Sequence, residues 1–353
     1  MELDLLDEMT VDRHRLQARL RAASIPRGLA PQLPQNLFDR SQLTITDQLR
    51  SLSLSAYRSL LANLGERILF RLGEGAATFD LPAAVDELTA HTDEHSPTLI
   101  SAILHRAEES VVAGEMAAIG AGAIVVGGDM RGGGRNWVAG LEDSEDRVLA
   151  DRARVYRRLK KIRSGDQGEP VLLADELPEY LASRCAWELC AELCRDRGPE
   201  EIRPVIDAVR SICAEHDVVR SPQHASLALA ARIEERSELS DQTMLKAVVD
   251  GDPMLLTALM AVRSGVSTGT AWLLLFRNDG QALANLFSAS GLDTPAGRQL
   301  ASILLTLNSR QPNLAEAQQA ANDLFETVDA AFARELLSWW RLDPQYRQAA
   351  GRQ

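Results

Sequence analysis

Proline falls again and again just ahead of an apolar run in this chain. The steps are Leu81-Pro82, Ser96-Pro97, Leu177-Pro178, Gly198-Pro199, Ser221-Pro222, Asp252-Pro253 and Thr294-Pro295. Proline presets a helical φ and has no N–H to donate, so the first turn is the one part of a helix that accepts it. Thr46-Asp47 adds a start of another kind, a capping hydroxyl followed by an acid in the first turn. From there Leu49, Leu52, Leu60, Leu61, Leu64, Ile68 and Leu72 recur at largely helical spacing up to Gly73. Glycines at 265 and 291 mark further stops. Many short helices on connections of about two to five residues become antiparallel neighbours and stack into a bundle or solenoid. The fold class expected is all-α, built from stacked antiparallel helical pairs, with no strict repeat period.

Composition agrees. Aromatics make up 5% of the 353 residues, while Ala, Leu and Arg, which lose little side-chain freedom in a helix, recur throughout. The formal net charge of -12 repels nucleic acid and anionic lipid unless basic residues are segregated. The acidic start Met1-Glu2-Leu3-Asp4 lacks the basic region and apolar core of a secretory signal. No run of about 20 residues is free of charge, so membrane insertion is not expected. Cys185, Cys190, Cys194 and Cys213 form no Cys-x-x-Cys pair and have no nearby histidine, so they read as buried apolar residues in a reducing, cytoplasmic protein.

Along the chain, residues 10–23 read as a helix. Pro26, Pro31 and Pro34 make 24–43 an extended linker. Eight glycines between Gly120 and Gly140 (120, 122, 127, 128, 132, 133, 134 and 140) carry too much backbone entropy for a regular helix. That stretch divides an N-terminal helical region, 1–119, from a helical domain, 141–353, through a flexible connection at 120–140. The domain closes in one long amphipathic stretch through Phe325, Phe332, Leu336, Leu337, Trp339 and Trp340.

Motifs that suggest chemistry each lack their context. Gly265-Val266-Ser267-Thr268-Gly269 has the nucleophile-elbow spacing, but helix precedes it and the last histidine is His224. Ser267 therefore reads as a helix N-cap. His91-Thr92-Asp93-Glu94-His95 has inverted zinc-protease spacing, which needs one continuous helix, yet Ser96-Pro97 starts a new one. Gly120-Ala121-Gly122 is followed by Val125 where a dinucleotide fingerprint needs glycine. Gly132-Gly133-Gly134-Arg135 could form an anion nest or simply a mobile loop. No catalytic residue, metal or cofactor is expected.

One segment stands apart electrostatically. Arg147, Arg152, Arg154, Arg157, Arg158, Lys160, Lys161 and Arg163 face a single acid, Asp151. On a helical projection Val148, Val155, Leu159 and Ile162 share one side, while Arg147, Arg154, Arg157, Arg158 and Lys161 gather opposite. Such a stripe can bind an acidic protein surface, a phosphate-bearing ligand or nucleic acid. The plainer account is a solvated face paired with neighbouring carboxylates.

The runs Asp143-Ser144-Glu145-Asp146-Arg147-Val148-Leu149-Ala150 and Gly168-Glu169-Pro170-Val171-Leu172-Leu173, then Asp175-Glu176-Leu177-Pro178 and the helix around Trp187, carry a resemblance. So do Gly251-Asp252, Trp272–Phe276, Gly291-Leu292 and, nearer the N-terminus, Asp39-Arg40 to Leu64. The chain resembles a family of uncharacterised bacterial proteins, described chiefly from alphaproteobacteria and defined only as a domain of unknown function. The resemblance implies helical pairs stacked as in HEAT repeats, and no activity. The expectation is a non-enzymatic scaffold or regulator whose partner is a protein with an acidic surface. One rival is a nucleotide- or nucleic-acid-binding regulator using 147–163. A second is an enzyme whose site is assembled from residues distant in sequence.

Overall fold

Thr46 opens the first described helix, its hydroxyl accepting from the Leu49 amide at 3.2 Å, and Gly73 closes it at φ 59°. The computed structural model describes residues 46–90, 96–126, 137–165, 168–277, 280–309, 314–343 and 346–347. The helix expected at 10–23, the linker at 24–43, the His91–His95 motif and the glycine nest at 132–135 lie outside them. Among the described residues every regular element is helical, with a single isolated bridge between Ser164 and Pro170. The protein is all-α.

The described residues fall into two compact units, one drawn from 46–114 and 138–229, the other from 115–126, 137 and 230–347. The first holds α1 (Asp47–Leu72), α2 (Leu81–Ala90) and the start of α3 (Pro97–Val126). After a single turn, α4 (Trp137–Leu141), come α5 (Arg147–Ile162), α6 (Glu179–Leu193), α7 (Pro199–Ala214) and the start of α8 (Pro222–Glu235). Its core joins Tyr57, Leu60, Leu64 and Ile68 of α1 to Leu181, Cys185 and Leu189 of α6 and to Val205 and Val209 of α7. Gly65 permits a close approach here, since a Cβ on it would run into the Leu81 side chain at the start of α2.

The other unit holds α9 (Asp241–Val249), α10 (Pro253–Ser264), α11 (Thr268–Phe276), α12 (Gly280–Ala289), α13 (Pro295–Ser309), α14 (Leu314–Glu326) and α15 (Ala330–Trp340). Helix α10 is buried on every side from Pro253 to Ala261, as a central helix must be when it is apolar all round. Gly265, at φ 71°, ends it in a left-handed turn, and α11 leaves at 112°. Around this hairpin α13 packs on α14, and α12 on α15. No single helix among the described residues is long and apolar enough to cross a membrane.

Two expectations need correction. Helix α3 runs on to Val126, through Gly114, Gly120 and Gly122. Alanines at 113, 117, 118, 121 and 123 interleave with those glycines, and each glycine costs only about 1 kcal/mol against alanine. The long terminal stretch is two helices, because the Asp329 carboxylate accepts from the Ala331 and Phe332 amides and starts α15 afresh. Each compact unit takes residues from both sides of the glycine-dense stretch.

Candidate functional site

Helix α5 forms where the sequence places the basic stripe. The Asp146 carboxylate accepts from the Val148 amide at 3.0 Å and the Leu149 amide at 3.2 Å, capping its N-terminus. Lys160 and Lys161 stand in the last turn, where the helix dipole favours cations. Its rotation differs from the expected one. The buried residues are Leu149, Ala150, Ala153 and Tyr156. Val148, Val155 and Ile162 are 47%, 43% and 47% exposed. The tyrosine ring, flanked by small alanines, fits a close-packed face that the branched residues would hold apart. The apolar ridge therefore borders the basic stripe on the solvent side.

The eight basic residues divide by role. Arg147, Arg154, Arg157, Arg158 and Lys161 are all exposed, as expected. Arg154 pairs with Asp151 at 2.5 Å and also donates to the Glu142 carbonyl at 3.0 Å. Arg157 pairs with Glu142 at 2.7 Å. Surface pairs of this kind contribute at most about 1 kcal/mol. Arg147, Arg158 and Lys161 have no ion-pair partner among the described residues. Arg152 turns inward, donating to the Ala228 carbonyl at 2.7 Å.

Arg163, the last of the eight, is buried and joins a network that the sequence does not announce. Its Nη1 and Nη2 donate to the two oxygens of Glu109 at 2.5 and 2.8 Å. Nε and Nη2 donate to the two oxygens of Glu176 at 3.1 and 2.8 Å. The side chains of Arg163, Glu109 and Glu176 are 4%, 9% and 1% exposed. Glu176 also accepts from Gln223 Nε2 at 2.6 Å and the Leu173 amide at 3.1 Å. Arg106, itself buried, donates to the carbonyls of Val171 and Arg163 at 3.0 and 2.6 Å. Burial alone would raise the Glu109 carboxyl, but Arg163 and Arg106 overcome it and hold the group at about 2. Burial likewise opposes the charge on Arg163, and the two glutamates more than restore it. Every charge in this network is answered, so its chemistry is that of a clamp on the turn from Arg163 to Leu177.

Ser267 and the cysteines fall out as structure. Ser267 accepts from the Thr270 amide at 3.2 Å and donates to its hydroxyl at 2.9 Å, capping α11 directly after helix α10. Cys185, Cys190 and Cys194 are buried free thiols and Cys213 is half-buried. Burial lifts the Cys185 thiol to about 12 and the Cys190 thiol to about 11, which leaves both far from the reactive thiolate.

The family model for uncharacterised proteins conserved in bacteria, DUF2336, matches residues 144–338, over half of the chain. The chain belongs to the DUF2336 family. No curated protein and no solved structure matches it. The DUF2336 match begins at the residue pair before the α5 cap, so the whole basic stripe lies inside it. Arg106 and Glu109, which hold Arg163, lie outside.

Proposed function

We propose that this chain is a non-enzymatic helical scaffold, its helices stacked in the manner of HEAT repeats, which holds a protein partner with an acidic surface on α5. One observation carries the reading. In a chain with 50 acids against 38 lysines and arginines, Arg147, Arg158 and Lys161 stand exposed on one helix without an ion-pair partner among the described residues. Folding alone gives no reason to leave cations unanswered where carboxylates are in surplus. A partner's carboxylates would answer them, and association would weaken as salt rises.

The test is affinity capture from nuclease-treated lysate, comparing the wild type with Arg158→Glu/Lys161→Glu at low and physiological salt. Acidic proteins held by the wild type should be lost from the variant, with the greater difference at low salt. Identical partner sets at both salt concentrations would remove α5 as the binding face.

A further inference from the structure

The observed rotation of α5 places six of its exposed residues in a seven-residue register. Val148, Val155 and Ile162 lie seven apart and form one ridge of β-branched side chains. Arg147, Arg154 and Lys161, each one residue earlier, form a parallel row of cations. In heptad terms the ridge occupies the a positions and the cations the g positions, from which a coiled-coil helix reads the charge of its partner. The d positions hold Asp151 and Arg158, so the apolar seam on α5 is the a ridge alone. β-Branched residues at a are those that favour two-stranded pairing.

We propose that the partner element seated on α5 is a single amphipathic helix of another protein, apolar along one seam and acidic along the flank that meets Arg147, Arg154 and Lys161. This rests on the acidic-partner reading above and adds the partner's secondary structure and register. Helix α5 has 16 residues, a length of about 24 Å, so the partner helix engages over two to three heptads. A second copy of α5 is excluded by charge, because antiparallel pairing sets the cation rows against each other. Parallel pairing sets Asp151 against Asp151 and Arg158 against Arg158 at the d positions, also like-charge contacts. Duplex nucleic acid and anionic bilayer fit less well. Asp151 lies within the exposed face, and the net charge of -12 opposes both.

The experiment uses the full chain and two fluorescent peptides of about 21 residues. One has leucine at a and d and glutamate at e and g; the other is its scramble, with identical composition. The heptad peptide should bind, gain helical circular dichroism on binding, and bind at least about tenfold more tightly than the scramble. Val155→Ser should weaken it by about tenfold while leaving thermal unfolding unchanged, since Val155 is exposed. Equal binding of both peptides, sensitive to Arg158→Glu/Lys161→Glu but not to Val155→Ser, would overturn the helical register and leave the acidic-partner reading standing. Binding of neither peptide would overturn both readings. Tighter binding to phosphatidylserine vesicles or duplex DNA than to the heptad peptide would replace the protein helix with that class of ligand.

Discussion

Arg163 is tied to Glu109 across 54 residues and to Glu176 across 13, all in the same buried space. Replacing it by methionine keeps an unbranched stem, removes the guanidinium and strands two carboxylates. Arg163→Met should cost roughly 3 to 5 kcal/mol, as for one partner removed from a buried pair, read from the denaturant midpoint. The same network sets an acid limit. The Glu109 carboxyl is held at about 2 in the fold against an ordinary 4.5. The unfolded chain therefore takes up the proton first as pH falls. Its contribution to stability is full above pH 4.5 and is lost on the way down to about pH 2. That acid-limb slope should be shallower in Arg163→Met, and an unchanged slope would show that Glu109 does not titrate this way. None of this is legible from the sequence. Arg163 stands among seven other basic residues, and nothing local separates the one that turns inward from those that stay in water.

Helix starts and stops were largely legible, because a cap is local chemistry. Thr46, Ser267 and the proline steps at 97, 199, 222, 253 and 295 all lie where the sequence places them. Ser267→Ala should therefore weaken the fold by about 1 kcal/mol, measured by thermal or chemical unfolding. No loss, or a loss of several kcal/mol, would show that the Thr270 contacts are not acting as a simple cap. Helix rotation was less legible. On α5, branched residues at 148, 155 and 162 form as clear an apolar line as Leu149, Ala153 and Tyr156. Which line is buried depends on how closely the opposing helices approach, and alanine permits an approach that valine does not. Arg147, Arg154, Arg157, Arg158 and Lys161 are exposed, and the apolar ridge of Val148, Val155 and Ile162 lies beside them in solvent rather than in the interior.

Across the whole molecule, an all-α architecture follows from punctuation and composition, whereas the grouping of helices into units does not. Grouping rests on contacts between distant segments such as α1 with α6 and α7. The same contacts separate recognition of the family from autonomy of its domain. The matched segment, 144–338, contains Leu181, Cys185 and Leu189 but not the Tyr57, Leu60 and Leu64 that cover them. It contains Arg163 and Glu176 but not Glu109 or Arg106. A fragment cut at 144–338 should expose the α6 face, leave the guanidinium half answered, and aggregate or melt well below a fragment spanning 46–347. Equal melting temperatures for the two fragments would show that α1 to α3 are dispensable. The clamp on Arg163 thus bears on where this protein can be divided. The boundary by which the family is recognised in sequence passes through the interior of a folded body, and anyone trimming the chain for expression should cut upstream of Thr46 rather than at Ser144.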